Sequence, residues 1–135
     1  QPILLGECTG EARDVGHRHA EKALGLRPGS ALISGGELTV TVTGGGEGGP
    51  NLEYALGAAA LLADRPDILG LAADSDGIDG NSGAAGAFFS GADAAGAAAL
   101  ATNDSAAWFA ANGGLFAPGP TGTNVNDLRI ILVAP

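Results

Sequence analysis

Three carboxylates fall within six residues at Asp74-Ser75-Asp76-Gly77-Ile78-Asp79. So dense a set of hard oxygen donors suits Mg2+ or Ca2+. The segment is not an EF-hand: Ile78 takes the fifth position, where an oxygen ligand belongs, and no Glu stands at the twelfth. The competing reading is an acidic turn whose Asp side chains accept backbone N–H groups. A second candidate is the loop Gly119-Pro120-Thr121-Gly122-Thr123-Asn124-Val125-Asn126-Asp127. Its hydroxyl and amide groups either face a ligand or tie up local backbone, and its glycines and proline fix the path. Glu37 follows Ser34-Gly35-Gly36 in a mostly apolar stretch, where a carboxylate needs partners or loses its charge. It reads as a general base, as an acceptor for a substrate hydroxyl, or as a tie between the Gly corner and the final loop, the last being preferred. Asn51 reads as a ligand contact.

Gly44-Gly45-Gly46-Glu47-Gly48-Gly49 satisfies G-x-G-x-x-G between an expected strand and an expected helix. Five glycines in six positions match many patterns by chance, and Glu47 would repel a pyrophosphate. A loop cradling an anion with its N–H groups at a helix N-terminus is therefore preferred to a dinucleotide site. A nicotinamide-dependent reductase would rest on this run alone. His17 and His19, two apart on a helix, face different sides and make no metal pair. Trp108 and Phe109 read as core.

These residues need elements to position them. Ile3-Leu4-Leu5 reads as a strand. Ala12, Val15, Gly16, His19, Ala20, Ala23 and Leu24 share one helical face, with Thr9 as N-cap and Gly25 and Pro28 as the stop. Residues 31–34 and 38–42 read as strands around Gly35-Gly36, and 51–64 as an Ala-rich helix. Residues 68–73 read as a buried strand ending at the acidic cluster, 87–89 as an edge strand, 93–102 and 105–111 as short helices, and 128–133 as the last strand. Strands alternating with helices imply an α/β fold: a mixed β-sheet flanked by helices, in a single layered domain. In such sheets ligands collect beyond strand ends, where 34–37, the Gly-rich loop and 74–79 are expected to meet.

With 135 residues the chain is long enough for one core. Six basic against fifteen acidic side chains, net −9, argue against nucleic acid or an anionic membrane as partner. Cys8 is the only cysteine and no run approaches a membrane span, which fits a cytoplasmic protein. Lys22 is the only lysine, so a lysine for nucleotide phosphates would come from elsewhere. The start at Gln1-Pro2 reads as that of a piece of something longer.

The closing loop through Leu128 resembles the C-terminal signature of the class II glycerate kinases, whose last domain is the MOFRL domain and whose members were often labelled hydroxypyruvate reductases. Residues 34–42, Gly44-Gly45-Gly46, Asn51-Leu52-Glu53, Asp76-Gly77-Ile78-Asp79-Gly80 and Asn103-Asp104-Ser105 stand in that family's order and approximate spacing. The resemblance implies a connecting strand and helix over 1–30 and a MOFRL-like domain over 31–135, forming one compact unit. It implies the C-terminal part of an ATP-dependent glycerate kinase, with the cleft completed by an N-terminal nucleotide-binding domain. Implied substrate-binding residues are Ser34, Gly35, Gly36, Glu37, Asn51, Glu53, Thr121, Thr123, Asn124 and Asn126. Asp76 and Asp79 are implied metal residues, ATP and Mg2+ are held mainly by the other domain, and no catalytic residue is named. Pro50 stands where the family carries Arg, and Glu47 where a basic residue is common. The alternative is a stand-alone, catalytically inactive small-ligand or protein-interaction domain derived from that family.

Overall fold

The computed structural model describes residues 1–135, the side chain of Ala94 excepted. The elements run β1 (Pro2–Glu7), α1 (Ala12–Leu24), β2 (Ala31–Gly35), α2 (Pro50–Ala59), β3 (Ile68–Asp74), β4 (Gly86–Phe89), α3 (Ala94–Ala101), α4 (Ser105–Asn112), β5 (Leu115–Phe116) and β6 (Asp127–Val133). They build the expected mixed sheet, in the order β1-β2-β6-β3-β4-β5. β1 and β2 are parallel, joined by α1 as crossover, and every other pairing is antiparallel. β6 therefore lies in the middle, pairing Ser34 with Arg129 on one side and Asp74 with Asp127 on the other.

Strand alternation divides the sheet into two unlike faces. Leu32, Ile131, Val133, Ile68 and Ala72 are buried beneath the helices, with Val15 of α1 and Leu52 and Leu56 of α2 in the same core. Leu4, Leu69, Phe88, Leu128 and Leu132, at the alternate positions, are exposed. α1 and α2 cross at close range because neither has a side chain at the contact. A Cβ on Gly16 would lie 2.1 Å from the Tyr54 carbonyl oxygen, and one on Gly57 2.4 Å from that of Arg13.

Some expectations are corrected. Residues 38–42 form no strand and pair only through a bridge between Thr39 and Glu11. Their alternation serves to pin the start of α1, where Thr39 accepts the Ala12 N–H and the Glu11 carboxylate takes the Thr41 N–H and hydroxyl. Glu11 rather than Thr9 is the N-cap residue of α1, without a side-chain capping bond. α2 stops at Ala59 instead of reaching 64. β4 is not an edge, because the two-residue β5 pairs outside it.

Candidate functional site

The loops at one end of the sheet converge on α2. Asp79, 2 % exposed, directs its carboxylate at the helix start. Oδ1 accepts the Asn51 N–H at 3.0 Å and the Asn51 Nδ2 at 3.2 Å, and Oδ2 accepts the Leu52 N–H at 2.9 Å. This satisfies the orphan amides of the first turn from outside the helix. Burial pushes the Asp79 carboxyl up to about 6, against the pull of these three donors. A Cβ on Gly49 would strike the Asp79 side chain at 2.5 Å, so the carboxylate reaches the helix because that residue is glycine.

A second buried charge braces the opposite wall. Arg129 is 1 % exposed and donates to the carbonyls of Gly35 and Gly36, at 3.0 Å each, and to Asp127 Oδ2 at 2.6 Å. Its guanidinium lies 5.4 Å from the centre of the Tyr54 ring. Arg129 thus joins the Gly corner to the start of β6 and fixes both next to Glu37. Sequence reasoning missed this residue, although a signal existed: alternation in β6 places Arg129 on the face of Ile131 and Val133, where a charge must find partners.

Between these braces lies an open cleft of about 660 Å3 lined by Glu37, Pro50, Asn51, Asp74, Asp79, Gly80 and residues 124–127. It brings together the expected Glu37, Asn51, Asp79, Asn124 and Asn126, and adds Asp74 and Asp127, which belong to the acidic cluster and the polar loop but were not among the site residues implied by the resemblance. Burial raises the Asp74 carboxyl, and the charges of Asp127 and Asp76 add to the rise. Asn51 is 1 % exposed with Oδ1 unpartnered, and Ser34, facing Arg129 in register, is buried with its hydroxyl unpartnered.

Other expected residues lie elsewhere. Thr121 bonds the Ser75 and Asp76 carbonyls, and the Ser75 hydroxyl accepts the Val125 N–H. The front of the polar loop therefore packs on the acidic turn, and only its end reaches the Gly corner, where Asp127 meets Gly35. Thr123 is exposed on that turn-forming stretch. Glu53 sits in an internal network, taking Arg13 at 2.7 Å and Asn103 Nδ2 at 2.8 Å. Asn103 Oδ1 in turn accepts the Thr43 and Gly44 amides.

That network takes up much of the loop expected to cradle an anion. The Gly46, Glu47 and Gly48 amides also donate within the protein, to Thr102, Asp104 and Asn81. The run is glycine-rich so that it can pack against its neighbours, and its Gly44, Gly46, Glu47 and Gly48 amides, like the Asn51 and Leu52 amides of the α2 start, bond within the protein. The carboxylates expected to hold a metal also have partners within the protein. Asp79 is committed to α2, Asp76 Oδ1 accepts the Ile78 N–H at 2.8 Å, and no group of three or more His, Cys, Asp or Glu among the described residues is arranged to hold a metal ion. The acidic-turn alternative describes both side chains. Among the described residues no helix is long and apolar enough to cross a membrane.

Comparison with known proteins adds a family to this geometry. The D-glycerate 2-kinase of Thermotoga maritima is 40 % identical over 97 % of this chain and 35 % of its own length. The glycerate 2-kinase of Pyrococcus horikoshii is 37 % identical over 97 % of this chain and 33 % of its own. Human glycerate kinase is 41 % identical over 77 % and 23 % respectively. The crystal structure of the Thermotoga maritima glycerate kinase superposes with a TM-score of 0.91 at 36 % identity, covering 99 % of this chain and 36 % of that one. The chain spans about a third of the length of these two microbial relatives. The MOFRL family model matches residues 30–127, and the chain belongs to the MOFRL family of glycerate kinase homologues.

Proposed function

We propose that this chain is the C-terminal domain of an ATP-dependent glycerate kinase and orients glycerate in the cleft between Glu37, Asn51 and Asp127. One observation carries the reading. Segments far apart in sequence, from the Gly corner, the α2 start, the acidic turn and the polar loop, line a single cleft in a fold shared with glycerate kinases. In phosphoryl transfer the protein chiefly positions substrate and neutralises charge. This domain supplies the first: Asn51, Asn124 and Asn126 offer amide groups and Glu37, Asp74 and Asp127 offer acceptors to the glycerate hydroxyls. ATP with Mg2+ supplies the phosphoryl group, and its binding belongs to a nucleotide-binding domain outside this chain, since Asp76 and Asp79 do not fit a metal centre.

The test is ATP-dependent phosphorylation of D-glycerate by the chain alone and mixed with the remainder of a glycerate kinase relative. Turnover is expected only in the mixture. A mixture that associates and stays inactive would favour the second reading, a catalytically inactive ligand-binding domain. That reading draws on the charge of the cleft, which has several carboxylates and whose neighbouring cation, Arg129, has both terminal nitrogens bonded to Gly35, Gly36 and Asp127.

A further inference from the structure

The exposed face of the sheet is apolar from edge to edge. In register across the strands, Leu4 stands opposite Ile33, Ile33 opposite Ile130, Ile130 opposite Leu71, and Leu71 opposite Phe88. Phe116 of β5 continues the row, its ring 5.4 Å from that of Phe88. Leu4 is 76 % and Phe88 52 % exposed, and no charged side chain interrupts the row. With Leu69, Leu128 and Leu132 beside it, the patch is on the order of 500 Å2, at the upper end for a monomer and of the kind that marks an interaction site.

We infer that this face is the docking surface for the part of a glycerate kinase lying outside the MOFRL match, an inference that rests on the functional reading above. Two observations select that occupant over a second copy of the chain. The microbial relatives that match 97 % of this chain carry about twice as much further polypeptide, 65–67 % of their length, which provides a body able to cover one sheet face. The net charge of −9 opposes association between copies. The face also borders the cleft, because exposed Leu128 directly follows Asp127 on β6. A domain seated on the face therefore reaches the cleft edge, as a site shared by two domains requires.

The test mixes the purified chain with the separately produced remainder of the Thermotoga maritima D-glycerate 2-kinase and measures association by sedimentation velocity and calorimetry. The wild-type chain is expected to bind. Leu4→Glu and Phe88→Glu, both at exposed positions and each checked for an unchanged melting profile, should weaken binding tenfold or more. Asp14→Lys on the exposed side of α1 should not weaken it. No association of the wild-type chain, or association indifferent to both face substitutions, overturns the inference. So does a wild-type homodimer that Phe88→Glu dissociates while binding to the remainder is unaffected. Association without glycerate phosphorylation supports the docking face while overturning the kinase reading, so the two fail separately.

Discussion

Asp79 shows how a carboxylate that reads as a metal ligand in one dimension becomes a helix cap in three. Its carboxyl titrates near 6 in the fold against 3.8 when unperturbed. Between those values the folded state holds more protons than the unfolded one, so stability falls as pH rises through about 4 to 6, by roughly 3 kcal/mol in all. His19, pushed down to about 4 by burial and by Arg129, acts oppositely, losing stability as pH falls from 6.5. Comparing melts of wild type and Asp79→Asn between pH 4 and 7 isolates the first effect: the difference between them should change with pH by that amount. Arg129→Met leaves Asp127 and two carbonyls without their buried donor and should cost about 3–5 kcal/mol in urea unfolding. Arg129→Lys should recover little, because its compact ammonium cannot span acceptors set at both terminal nitrogens of a planar guanidinium. The residue types at the cleft were legible, but their partners were not. Spacing shows that Asp76 and Asp79 lie near one another, while hydrogen bonding to Ile78 and to the α2 start shows what each carboxylate does.

Elements were legible where periodicity was strong and where an element buries one face. α1, β2, β3 and β6 lie close to where their patterns put them, since each packs apolar side chains against the core. Residues 38–42 alternate as well but find no adjacent strand, and β5 is too short to leave a pattern. The contact between α1 and α2 gives a prediction at this scale. Gly57→Ala places a methyl against the Arg13 backbone, and the helices must separate. A loss of about 1–3 kcal/mol is expected by chemical denaturation, although Ala is the better helix former by about 1 kcal/mol. The Arg13–Glu53–Asn103 network ties the same helix pair to the Gly-rich loop. Arg13→Met should destabilise by about 3–5 kcal/mol by stranding the Glu53 charge, and adding Glu53→Gln should return part of that loss.

For the whole molecule, the α/β class was legible from alternating elements, but the strand order was not, because nothing in a single sequence announces that β6 enters the middle of the sheet. That insertion has a consequence for biosynthesis. β1 and β2 form one half of the sheet, β3, β4 and β5 the other, and the two are hydrogen-bonded only through β6. While the ribosome is still making residues before 127, the halves have no ladder between them and Ile131 and Val133 are missing from the core. The nascent domain must wait, with apolar surface uncovered, until the strand that joins its halves clears the exit tunnel. Arrested chains of increasing length, read by protease resistance, should stay sensitive until β6 has emerged and become resistant in one step thereafter.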